Sequence, residues 1–118
     1  MTRYVTLEEQ TWQPADVLGL QMDRCLLWEG QHGVFAGFFK MPRGMSIPAH
    51  RHPDWVQILV LSGKMQVEEG ANTRTIGAGD YYFVEPGDMH VETALEDTLL
   101  LVVAEDDRKA TRGQPSPF

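Results

Sequence analysis

The chain has 118 residues, with 10 Lys+Arg against 17 Asp+Glu for a formal charge of −7, 42% hydrophobic residues and one cysteine. That length supports one hydrophobic core and not two, so a single domain without a disulfide staple is expected. The acidic balance argues against nucleic-acid and anionic-membrane surfaces, which are recognised mainly through Lys and Arg.

Along the chain, Met1 to Gln10 carries Glu8 and Glu9 where a secretory signal needs an apolar core. The longest apolar run, Leu99 to Ala104, is far shorter than a membrane span, so the cytoplasm is the expected compartment. Residues 1–25 form an N-terminal arm, in which Val5-Thr6-Leu7 is an expected edge strand and Pro14 to Leu18 a turn of helix or a loop. Cys25 stands alone with no activating neighbour and is expected as a buried or half-buried thiol.

Residues 26–105 break into short apolar runs punctuated by Gly and Pro every ~8–12 residues, the pattern of a sandwich or barrel. Strands are expected at Leu26–Trp28, Val34–Met41, Met45–Ile47, Val56–Leu61, Lys64–Glu68, Thr73–Ile76, Tyr81–Val84 and Leu99–Ala104. Pro42-Arg43-Gly44, Ser62-Gly63, Glu69 to Asn72, Gly77 to Asp80 and Pro86-Gly87-Asp88 supply turns between them. The expected fold is all-β, a double-sheet jelly roll. Residues 106–118 gather Arg108, Lys109 and Arg112 beside Asp106 and Asp107, with almost nothing to bury, and are expected as a flexible tail.

Three of the four histidines fall in two places, His50-Arg51-His52 and His90. In an extended segment residues i and i+2 share a face, so His50 and His52 present both imidazoles to one point. His90 follows the turn Glu85-Pro86-Gly87-Asp88 and can approach from another strand. His32, inside the Gly-bounded turn Gly30 to Gly33, is expected to be exposed and unrelated.

Gly44, His50, His52 and Gly63, followed by Gly79, Gly87 and His90, resemble the two motifs of the cupins, G(X)5HXH(X)3,4E(X)6G and G(X)5PXG(X)2H(X)3N. The resemblance is close over residues 44–94. It implies a double-stranded β-helix barrel binding one divalent metal ion, with His50, His52 and His90 as ligands, and a homodimer in which the N-terminal strand pairs with the neighbouring sheet. The sequence departs from the motifs in three places. Val56 or Gln57 stands where the first motif has Glu, Ala94 where the second has Asn, and Glu85 where it has Pro, with Pro86 beside it.

Without the motif carboxylate, three neutral imidazoles leave a divalent ion its full charge, which favours anionic, chelating oxygen donors. The chain is similar in this respect to cupin dioxygenases that use non-haem iron on diketones, hydroxyketones or thiols. Fe(II) is therefore the expected ion, with Ni, Zn or Mn as alternatives, and a small chelating carbonyl or hydroxyketone compound the expected substrate. A non-catalytic small-molecule or sugar-binding sensor, and a metal-dependent isomerase or lyase, are the alternative functions.

Gln57 is a further candidate ligand or hydrogen-bond partner of a bound ligand, although the Gly63 spacing points Val56 inward instead. Glu85 is a candidate general base, against a plain turn role. Trp55, just after His52, with Met45 and Phe83, are candidate pocket-lining residues.

Overall fold

The computed structural model describes residues 1–105, and the expected flexible tail, residues 106–118, lies outside them. The strands are β1 (Gln13–Val17), β2 (Leu20–Glu29), β3 (Val34–Met41), β4 (Ser46–Arg51), β5 (Val56–Ser62), β6 (Lys64–Glu69), β7 (Asn72–Gly77), β8 (Tyr81–Val84), β9 (Met89–Ala94) and β10 (Thr98–Glu105). They pair antiparallel in two sheets, one six-stranded in the order β1-β2-β3-β10-β5-β8 and one four-stranded in the order β4-β9-β6-β7. From β3 onward the chain passes back and forth between the sheets, in the manner of a jelly roll, except that β6 and β7 form a hairpin within the four-stranded sheet.

Alternation along the strands explains the packing. On β10 every second residue is buried, and Leu100, Val102 and Ala104 point inward with Phe35, Phe39 and Met41 of β3 and Val56, Ile58 and Val60 of β5. Ile47, Met65 and Ala94 meet them from the four-stranded sheet. Burial of each large apolar side chain contributes about 1.5–3 kcal/mol, which makes this seam the source of the fold's stability.

The N-terminal arm differs from expectation in two places. Pro14 to Val17 lie in β1, a strand at the sheet edge where a missing N–H is tolerated, and only Val17 there is buried. Leu7 to Glu9 form one turn of 3-10 helix instead of an edge strand, because the Thr6 N–H and hydroxyl both donate to Glu9 Oε1, at 3.0 and 2.7 Å. β1 pairs with β2 of its own chain, and Trp12 folds back over the outer face of the sheet, stacked on Phe38 at 6.5 Å with the Lys40 ammonium 4.1 Å from its ring centre. Cys25 is buried. Among the described residues no helix is long and apolar enough to cross a membrane.

Candidate metal centre

β4 and β9 lie side by side, and their register sets His50 directly opposite His90. The register shifts between Ile47 and His50. Residues three apart on a regular strand face opposite sides, so this bulge is what lets Ile47 and His50 both point inward. Pro48 sits in the bulge, where it has no ladder bond to lose.

His52 comes just after β4, and its carbonyl accepts the Gly87 N–H at 2.8 Å, which ties it to the turn leading into His90. All three imidazoles are buried, and one ring nitrogen from each lies within 4.8 Å of the others. His50 Nδ1 is 2.7 Å from the Pro48 carbonyl, so it carries the proton and leaves Nε2 as a lone pair facing the interior. His90 Nε2 is 3.0 Å from that lone pair and therefore holds the proton between them.

The structure adds a residue that the sequence reading missed. Glu92, two residues beyond His90 on β9, is 4% exposed, with Oε1 3.3 Å from His90 Nε2 and 3.7 Å from His50 Nε2. Its other oxygen accepts the Tyr82 hydroxyl. The rule that pairs His50 with His52 applies equally to His90 and Glu92, and would have found it.

The electrostatics follow from this packing. Burial lowers the His50 pKa, and the neighbouring His90 pulls the same way, against the Pro48 carbonyl and Glu92. Burial also works to lower His90, but the Glu92 carboxylate beside it prevails and holds its pKa above the ordinary 6.5. Burial works to raise Glu92, yet hydrogen bonds from His90 and Tyr82 leave it below its usual value, while burial and the same carboxylate push the Tyr82 phenol well above 10.

The donor set fits a divalent cation. Buried imidazole nitrogens are suited to Fe, Ni and Zn, and the His50 and His90 Nε2 atoms converge 3.0 Å apart beside the Glu92 carboxylate, 3.3 Å from His90 Nε2, where a cation would be held.

The other sequence candidates lie elsewhere. Val56 takes the inward position on β5, 1% exposed, while Gln57 belongs to the alternate set and accepts the Tyr81 hydroxyl at 2.8 Å on the outer face. Gln57 is thus turned away from the imidazoles. Glu85 is exposed in its turn, its N–H 3.3 Å from Asp88 Oδ2. Trp55 and Phe83 stack at 6.4 Å with Phe83 43% exposed, on the outer set of β8. Met45 packs half-buried on the core near Ala94, at the far end of β9 from His90. His32 is exposed in its turn.

A narrow apolar cavity between the sheets, lined by Met22, Phe39, Ile58, Leu100 and Val102, reaches His50 and Glu92. A larger one, about 560 Å³, opens between Met22, Lys40, Pro42, Ser62 and Asp97 and includes none of these polar residues of the centre.

A comparison with curated protein sequences finds no match. Among solved structures, the chain is similar to a proposed oxalate decarboxylase from Thermotoga maritima, with TM-score 0.75 and 20% identity over 87% of this chain and 98% of that one. It is similar to a proposed acetylacetone dioxygenase from Methylibium petroleiphilum, with TM-score 0.75 and 22% identity over 89% of this chain and 77% of that one. An RmlC-like cupin from Shewanella frigidimarina aligns with TM-score 0.73 and 19% identity over 94% and 97% of the two chains. At these identities the likeness is one of fold. The model of the ChrR cupin-like domain matches residues 1–107, nearly the whole chain, and the protein accordingly belongs to that cupin family.

Proposed function

We propose that the protein is a metal-dependent cupin oxygenase that holds Fe(II) on His50, His52 and His90 and acts on a small chelating carbonyl compound, a diketone or hydroxyketone. The observation that supports this is the convergence of three buried imidazoles at one end of an apolar barrel interior. A redox-active divalent ion bound there supplies the oxygen chemistry. The protein's own part is to fix the ligand atoms, as the Pro48 carbonyl does for His50, and to keep water from the reacting atoms with Phe39, Ile58, Leu100 and Val102. The name of the Methylibium neighbour, a proposed acetylacetone dioxygenase, points the same way by analogy of fold.

The test is oxygen consumption by iron-loaded protein offered simple diketones and hydroxyketones. Uptake tied to substrate loss, and absent in His52→Ala, is the expected outcome. Metal-dependent turnover without oxygen would overturn the oxygenase proposal in favour of an isomerase or lyase, and ligand binding without turnover would leave a sensor.

Metal binding should also depend on pH in a defined direction. His50 is held neutral by burial, whereas His90, whose pKa is raised by Glu92, carries an extra proton already at pH values above 6.5. A metal must displace that proton, so apparent affinity is expected to fall about tenfold per pH unit below the raised His90 value. Competition titrations from pH 8 down to pH 5.5 check this, and a flat profile across the range would contradict it.

A further inference from the structure

Glu92 is the one carboxylate among the described residues that is fully buried. An ionised carboxylate inside a sheet interior is expensive unless a positive charge meets it, and the groups that face it here are His50, His90 and the Tyr82 hydroxyl. No Lys or Arg pairs with it among the ion pairs of the described residues.

The geometry of the three facing atoms is that of ligands sharing one ion. His50 Nε2, His90 Nε2 and Glu92 Oε1 lie 3.0, 3.3 and 3.7 Å apart in pairs. Neighbouring ligands bonded at about 2.1 Å are separated by about 3.0 Å at right angles and about 3.4 Å in a tetrahedron. Meanwhile the first-motif position contributes no oxygen, since Val56 is apolar and Gln57 faces outward.

We propose that Glu92 is a fourth ligand of the metal, and that it supplies from β9 the carboxylate that the His50-x-His52 motif lacks. The inference rests on the metal centre proposed above and extends it to a ligand set of three imidazoles and one carboxylate. Tyr82 is a positioning residue: by holding Oε2 it keeps Oε1 aimed at the two histidines. Such a set lowers the net charge of a divalent centre from +2 to +1 and, for a six-coordinate ion, leaves two positions for a chelating substrate.

The experiment loads wild-type, Glu92→Gln and Tyr82→Phe proteins with Co(II), and measures affinity by chelator competition and coordination by the visible d–d spectrum. Glu92→Gln is expected to weaken binding about a hundredfold or more, at or beyond the upper end of the 10–100-fold typical of residues that act through a ligand, and to change the spectrum. Tyr82→Phe is expected to weaken binding about tenfold and keep the wild-type spectrum.

A Glu92→Gln protein with the wild-type spectrum, whatever its affinity, overturns the assignment. Should that variant fail to fold, a crystal structure of the wild type with Co(II) decides: Oε1 at about 2.0–2.2 Å from the ion supports it, and Oε1 beyond bonding distance overturns it. A wild-type protein that takes up no cobalt, iron, nickel, zinc or manganese would refute the metal centre itself, which separates the two failures.

Discussion

Alanine at His50 or at His90 is expected to abolish metal retention while leaving the barrel folded. A four-ligand zinc centre binds with about 10–16 kcal/mol, so each ligand accounts for roughly 2.5–4 kcal/mol, and its loss should weaken binding by about two to three orders of magnitude. The fold should survive because the apolar seam of β3, β5 and β10 is independent of the imidazoles. The two variants should differ when metal-free. His90→Ala strips the protonated partner, 3.3 Å away, from the buried Glu92, whereas His50, whose Nε2 lies 3.7 Å away as a lone pair, gives Glu92 no charge to lose. His90→Ala is thus expected to melt lower than His50→Ala. Metal titration with circular dichroism on the same samples checks both points, and full metal occupancy in either variant would remove that residue from the ligand set.

The largest effect on stability is expected at Gly63, the corner where the chain leaves β5 for β6. Its φ is +92°, and an added Cβ would stand 2.3 Å from the Asp97 carbonyl oxygen and 2.6 and 2.7 Å from Thr98 Oγ1 and Cα. Two of those three are backbone atoms of the segment entering β10, a strand paired on both sides, so the neighbour cannot yield cheaply. Thr98 is held as well, its hydroxyl accepting the Lys64 N–H at 3.2 Å and lying 2.8 Å from the Glu96 carbonyl. Left-handed strain of about 1–2 kcal/mol and overpacking of about 1–3 kcal/mol give a cost near 3–4 kcal/mol for Gly63→Ala. In a domain of this size that is a fall in Tm of roughly 10–20 °C. Gly44, with φ +88° but nothing within 4 Å of a Cβ, is the control and should lose only the conformational part. Equal melting of the two variants would contradict the steric account.

These two positions show why the cupin pattern was legible before the fold was known. Gly44, Gly63, Gly79 and Gly87 all adopt positive φ, so the motif glycines mark the sheet-to-sheet corners that a jelly roll needs. The strands with apolar alternation, β3, β5, β8 and β10, stand within a residue of where the sequence places them. What alternation could not show is β9. Its inward set is His90, Glu92 and Ala94, and its outward set includes Met89 and Val91, the reverse of an ordinary half-buried strand. Searching for apolar faces hides a strand whose buried face is polar, and Glu92 was hidden with it. β1 escaped for another reason: an edge strand with Pro14 and a single buried residue carries almost no hydrophobic signal. The bulge before His50 left no mark beyond Pro48, although it is what turns that imidazole inward.

Elemental analysis of the protein purified without an affinity tag, from cells supplied with iron, nickel, zinc and manganese, shows whether the three buried imidazoles hold an ion. About one divalent ion per chain is expected, lost in His50→Ala, with iron the ion that supports oxygen consumption. Folded wild-type protein that carries no metal and acquires none when these ions are added back would contradict that expectation.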